Sequence, residues 1–338
     1  MNYSILTKIK GYLMKQKTLK LNVLPLLIAG AISMHSASAM AIGELVNLGS
    51  YSGDPQGIAT YSGDPQGIAT AINDDGTVMV GGGWDSGSST AWRFTASTGY
   101  ENLEINSVGG ISKSIAYDVS ETGDVVVGGA TTSAGDFAFR WTAATGLVDI
   151  GVLQGGDNAT AYGVNYDGSK IVGESEISIN NDGYINGYHA FLWFNNSMAD
   201  LGTLGGRNSV AYSISKDGNV VVGESETGST HSTKGHKIKR AFKYHTTNDS
   251  RMVDLGVLAA GGGEGSSIAN GVNFDGSVIV GASEHTLGNH AVQWTSAGVQ
   301  DLHGAAGEYS EAFNVNDAGD VIVGSMDTLA GAGEVRRA

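Results

Sequence analysis

The stretch VAYSISKDGNVVVGE, residues 210–224, decides the architecture, because the chain carries five more like it. They are IATAINDDGTVMVGG (68–82), IAYDVSETGDVVVGG (115–129), TAYGVNYDGSKIVGE (160–174), IANGVNFDGSVIVGA (268–282) and EAFNVNDAGDVIVGS (311–325). Their turn glycines, Gly76, Gly123, Gly168, Gly218, Gly276 and Gly319, lie 47, 45, 50, 58 and 43 residues apart. A period near 48 residues with that scatter marks a repeat whose units differ in loop length.

Each unit reads as four strands. The first contains A-x-x-V/I-N/S, with alanine at Ala69, Ala116, Ala161, Ala211, Ala269 and Ala312. A short turn ending in glycine follows, which is hairpin chemistry because glycine takes positive φ without penalty. The second is the β-branched V-V-V-G run, as at Val125–Gly128 and Val220–Gly223, suited to burial on both faces. The third is A-F-x-W, at Ala138–Trp141 and Ala190–Trp193, with variants at Ala91–Phe94, Ala241–Tyr244 and Ala291–Trp294. The fourth is L/M-V-D-L-G, at Leu147–Gly151, Met198–Gly202 and Met252–Gly256. Four antiparallel strands per unit predict an all-β, propeller-like array, with an open β-solenoid as the alternative.

The ends are incomplete. Leu45–Gly49 reads as a fourth strand without partners, five full units follow, and a sixth supplies two strands before the chain stops at GEVRRA. Aligned with KIKRAFKYH of the fourth unit, Ala338 falls where Ala241 begins strand three. The expectation is a chain cut short inside a repeat.

Residues 1–39 are of another kind. Lys8, Lys10, Lys15, Lys17 and Lys20 precede the apolar run Val23–Ile32 and the sequence Ala37-Ser38-Ala39. This predicts a secretory signal peptide cleaved after Ala39, with an apolar run too short to span a bilayer. The repeat domain then covers 40–338. The formal net charge is −15, and loss of those five lysines with no acid takes it to −20. Such a surface repels nucleic acid and anionic lipid. With no cysteine, an exported chain of this kind relies on its core alone.

The repeats resemble the extracellular HAF family, named for a His-Ala-Phe that stands here as His189-Ala190-Phe191. Asp200–Gly206 (DLGTLGG), Asp254–Leu258 (DLGVL) and Asp149–Gly156 (DIGVLQGG) carry the same likeness, which covers about residues 44–338. The resemblance implies a surface or secreted protein of a Gram-negative bacterium, often the passenger region of an autotransporter, with no catalytic residues to transfer. Residues 285–338 offer no series of ten-residue alternating strands, so a translocator barrel is not in this stretch. A truncated gene, a fragment and a separately secreted repeat protein remain open.

Chemistry is sparse. The DDG, YDG, KDG and FDG turns lack the alternating acids of a calcium loop and read as hairpin turns. Asp149, Asp200, Asp254 and Asp301 recur before the last apolar residue of strand four; recurrence in unit after unit suggests a structural job, such as accepting hydrogen bonds between blades. The unusual loop is ETGSTHSTKGHKIKR (226–240), which places His231, Lys234, His236, Lys237, Lys239 and Arg240 in an acidic protein, a candidate ligand-binding finger for an acidic glycan or partner. No catalytic triad, cofactor motif or metal-ligand spacing stands out.

The decapeptide YSGDPQGIAT occupies 51–60 and again 61–70. One copy fits the frame and the other lengthens the loop that feeds strand one, at about 0.6 kcal/mol for a doubled loop. The functional expectation is a binding or adhesion module whose partner is a protein or glycan at the cell surface. The alternatives are a propeller-type glycan hydrolase or lyase, with acids converging at the centre, and a truncated fragment without function. A catalytic site should break the repeat symmetry with odd polar residues, and the visible departures lie mainly in loop lengths. That favours binding.

Overall fold

The computed structural model describes residues 66–338 apart from 86–87, 104–109, 179–186, 248–250, 259–263, 287, 304–308, 328–335 and 338. The signal segment with Ala37 and Ala39, the strand at 45–49 and the first decapeptide lie outside the described residues. The second decapeptide ends inside the first strand.

Among the described residues, six antiparallel sheets follow one another along the chain, five of four strands and one of three. The first is β1 (Gln66–Ile72), β2 (Val78–Asp85), β3 (Ser88–Thr95) and β4 (Gly99–Asn102). The second is β5 (Lys113–Val119), β6 (Val126–Thr132), β7 (Gly135–Thr142) and β8 (Gly146–Asp149). The third is β9 (Ala159–Val164), β10 (Lys170–Ile177), β11 (Gly187–Phe194) and β12 (Ser197–Asp200). The fourth is β13 (Gly205–Ile214), β14 (Val220–Thr230), β15 (Lys237–His245) and β16 (Met252–Asp254). The fifth is β17 (Ser267–Val272), β18 (Ile279–His285), β19 (Gly288–Thr295) and β20 (Gly298–Asp301). The sixth is β21 (Ser310–Val315), β22 (Ile322–Asp327) and β23 (Arg336–Arg337). The strands fall where the repeat places them. In the sixth sheet Met326 pairs with Arg337, as Ser225 pairs with Arg240 in the fourth, so the alignment of GEVRRA with KIKRA holds in register.

The valine run is explained by its two neighbours. Val221 packs in a core with Val172 and Ala190 of the preceding sheet, whereas Val220 and Val222 pack with Ala269 and Val292 of the following one. In the second sheet Val126 faces backwards and Val125 and Val127 face forwards. Each core is therefore shared by two blades, and each buried Val contributes about 1.5–3 kcal/mol only when its neighbour blade is present.

Small residues fasten the blades. Ala190 is fully buried and its N–H donates to Ser209 Oγ of the next blade at 2.8 Å. Ala91 with Ser114 (2.7 Å), Ala241 with Ser267 (3.0 Å) and Ala291 with Ser310 (2.8 Å) repeat the bond. Leu204 N–H donates to Ser225 Oγ and Leu258 N–H to Ser283 Oγ, which fixes the D-L-G-x-L segment on the following blade. The turn Asn or Ser is buried because its oxygen accepts the N–H five residues on, as Asn73 does from Val78 (2.9 Å) and Ser215 from Val220 (2.9 Å). The turn acids accept from the residue two on, Asp167 from Ser169 and Asp275 from Ser277, which is hairpin-turn bonding.

Candidate functional site: the central cavity

In every sheet strand one carries a β-bulge directly after its alanine. The glycine of V-V-V-G makes room for it. A Cβ on Gly128, Gly173, Gly223 or Gly281 would lie 1.9–2.0 Å from a strand-one carbonyl oxygen. A bulge adds one residue on one side of the ladder and re-aims its side chain. The six residues so aimed are Thr70, Tyr117, Tyr162, Tyr212, Asn270 and Phe313, and all of them line one cavity of ≈ 270 Å³ at the convergence of the six sheets. With all six blades around this cavity, the solenoid alternative does not apply.

The turn end is closed by Lys216. Its ammonium contacts Asp74 of the first blade and Glu121 of the second, and lies 3.7 Å from Asp317 of the sixth. Burial pulls the Lys216 pKa down, but the hydrogen bonds to Asp74 and Glu121 outweigh it and hold it above the usual value. Burial pushes Glu121 upwards against the pull of Lys216. The turn backbones are joined as well: Glu121 N–H donates to Tyr166 O, Tyr166 N–H to Lys216 O and Asp217 N–H to Phe274 O, at 3.0–3.2 Å.

Asp118 stands beside the bulge, where the other blades have Ala71, Gly163, Ser213, Gly271 and Asn314. Its Oδ1 accepts Val119 N–H at 2.8 Å and its Oδ2 accepts Val164 N–H of the next blade at 2.9 Å. Burial nevertheless raises its pKa from 3.8 to about 6, against those two bonds and Lys216. Between about pH 4 and 6 the folded state keeps a proton that the unfolded chain has released. Stability from this group is therefore full below pH 4 and declines by about 3 kcal/mol as pH rises through 6. Urea unfolding of wild type and Asp118→Asn across pH 3.5–7 should show profiles that diverge by this amount; parallel profiles would reject the assignment.

On the far side of the cavity the tyrosines are tied to carboxylates. Tyr162 OH donates to Glu174 Oε1 at 2.7 Å and Tyr212 OH to Glu224 Oε1 at 3.3 Å. Asn270 Nδ2 donates to Glu311 Oε1 at 2.8 Å and to Ala312 O at 2.9 Å. The Tyr117 and Tyr162 rings meet edge-on at 5.2 Å, and those of Tyr162 and Tyr212 lie tilted at 6.0 Å. Burial first, and Glu174 or Glu224 second, push the Tyr162 and Tyr212 hydroxyls well above the phenol range, so both stay donors. Burial also raises Glu174.

None of these residues was singled out from the sequence. The repeated symmetry is broken at the centre by Asp118, Lys216 and the acids around it, and not mainly in loop lengths as expected. The residues that were singled out lie elsewhere. The 226–240 stretch is a long hairpin of β14 and β15 that leans on the fifth blade. Lys234 pairs with Glu284, and His231 lies 3.6 Å from Glu264, whose Oε2 also accepts Ser232 N–H. Lys239 pairs with Glu224 at 2.7 Å, and buried Arg240 lies 3.6 Å from Asp254. Lys237 donates to Thr230 Oγ1, and the His236 ring lies 5.3 Å from that of His231. Four of the six side chains thus face a carboxylate of this chain, which accounts for basic residues in an acidic protein.

The strand-four aspartates serve their own blade, contrary to the expectation of bonds between blades. Asp149, Asp200 and Asp254 each accept the N–H of the glycine two residues on, at 2.7–2.8 Å. Asp200 also accepts from His189 Nδ1 at 2.9 Å, and Asp301 from His290 Nδ1 at 2.9 Å. Burial would raise Asp200, but the His189 and Gly202 bonds hold it below the usual range. The His of His-Ala-Phe is a strand-to-strand tie. Among the described residues, no three His, Cys, Asp or Glu side chains gather as metal ligands, and no helix is long and apolar enough to cross a membrane.

No family model and no curated protein matches the chain. Among solved structures it is similar to TolB from Acinetobacter baumannii, at 14% identity over 69% of this chain and 52% of that one, with a TM-score of 0.43. The chain spans about half the length of that protein. It is also similar to the β-propeller domain of the Trilobed protease from Pyrococcus furiosus, which has an open velcro topology. There the identity is 9%, over 79% of this chain and 83% of that one, with a TM-score of 0.50. At this identity the likeness concerns the fold alone, and it agrees with the sheet topology: the chain is a β-propeller.

Proposed function

We propose that this chain is an exported binding module, displayed at a Gram-negative cell surface as a passenger region of the HAF type, that holds its ligand in the central cavity. One observation carries the binding reading. The cores between blades repeat from unit to unit, whereas the cavity wall does not, with Thr70, Asn270 and Phe313 on three blades and tyrosine on the other three. Packing needs no such variation, and a ligand without sixfold symmetry does. Export is supported by the lysines, short apolar run and Ala37-Ser38-Ala39 of the N-terminus.

A glycan-cleaving reading is favoured by the odd polar residues that break the repeat at the centre, and by the Asp118 carboxyl raised to about 6 among Asp74 and Glu121. Binding is preferred because Lys216 already holds those two acids. The test is protease shaving of intact cells, followed by equilibrium binding of the purified chain to released surface ligands. Loss of the chain on shaving, and binding that Tyr212→Ala weakens about tenfold, are expected. A chain protected from protease, or binding indifferent to Tyr212, defeats the surface and the cavity parts respectively.

A further inference from the structure

The chemistry of the wall narrows the ligand, on the reading that the cavity binds one. Its polar groups are largely engaged with one another: Tyr162 with Glu174, Tyr212 with Glu224, Asn270 with Glu311, and Lys216 with Asp74 and Glu121. What this leaves for an occupant is aromatic surface, from Tyr117, Tyr162, Tyr212 and Phe313 on four of the six blades. A sugar needs donors and acceptors to replace its water, and such a wall supplies few. A cation needs ring faces and negative charge, and the wall supplies both.

The charge balance points the same way. Asp74, Asp118, Glu121 and Asp317 line the cavity against the single cation Lys216. Behind Tyr162, Tyr212 and Asn270 stand Glu174, Glu224 and Glu311, of which Glu224 is paired with Lys239. A phenol that donates its proton to a carboxylate carries a more electron-rich ring, which strengthens its hold on a cation. The protein's net charge of −15 draws cations towards it and turns anions away. The volume of ≈ 270 Å³ lies just below the usual range of ligand sites, about 300 to 1,000 Å³. That suits a compact ion and excludes an oligosaccharide chain.

We propose that the central cavity binds a small organic ammonium ion, its charged head against the rings of Tyr117, Tyr162 and Tyr212. Lys216 stays with its acids at the turn end, and the ammonium group takes the aromatic end.

The experiment is calorimetric titration of the full chain at low salt with choline and with 3,3-dimethyl-1-butanol, which has the same shape and no charge. Choline should bind saturably and at least about tenfold more tightly than the alcohol. Tyr162→Leu should weaken choline about tenfold or more. Glu174→Gln, which keeps an acceptor for Tyr162, should weaken choline several-fold and leave the alcohol unchanged, and it serves as the readout if Tyr162→Leu does not fold. Equal binding of choline and the alcohol, or choline binding untouched by Glu174→Gln, overturns the inference. The alcohol also separates the two readings. If it binds in a Tyr212-dependent way and no more weakly than choline, the cation inference fails and the binding cavity stands; if neither binds, both fail.

Discussion

Lys216→Met should lower the stability of the folded chain by about 3 kcal/mol, the low end for breaking a buried ion pair, because it removes the cation that the partly buried Asp74 and Glu121 share. Asp74 and Glu121 would each lose a charged partner, and Asp317 would lose its neighbour at 3.7 Å. Carboxylates of three different blades would then face one another without the lysine between them. Urea denaturation of wild type and variant in matched buffer measures the loss. Lowering the pH should recover part of it in the variant, since protonating the acids relieves their repulsion. A change below about 1 kcal/mol would place Lys216 with ordinary exposed ion pairs and not at the centre of the propeller.

Gly223→Ala should cost about 3 kcal/mol, the upper end of what an overpacked interior position loses. The added methyl would sit 1.9 Å from Val210 O and 2.9 Å from Ala211 Cα, both backbone atoms beside the bulge. Relief requires undoing the bulge, and that withdraws Tyr212 from the cavity. Gly129→Ala is the control. It lies one residue past a glycine of the same kind, and its methyl meets only the Thr160 side chain at 3.2 Å, which can turn away. Thermal unfolding should separate the two by several degrees. If both variants melt together, the glycine is not what accommodates the bulge.

The strand framework was legible because burial has a local signature. Alanine where a blade presses on its neighbour, glycine at the turn with φ of 69–77°, and valines facing two cores all recur at a fixed spacing. The cavity was not legible, for two physical reasons. A bulge is a property of register between two strands, so nothing in A-Y-S-I shows that Tyr212 leaves the alternation. Lys216 reads as a turn residue in K-D-G, and its partners are 95 and 142 residues away in sequence. The basic hairpin drew attention because it is unlike the other units, yet its charges are answered by Glu264, Glu284 and Glu224. An odd sequence identified a departure from the repeat, not a site.

The reach of Lys216 across the ring also orders the assembly of the chain in time. Blades touch their neighbours through short-range hairpins and shared cores, so they can form in succession from either end, with little loop entropy to overcome. The contact of Lys216 with Asp74 cannot form until the first four blades curve into place. It therefore belongs to the last stage of folding, after the rate-limiting step. Its loss should speed unfolding and leave the refolding rate nearly unchanged. The blades are built piece by piece, whereas the central cavity comes into existence only with the whole.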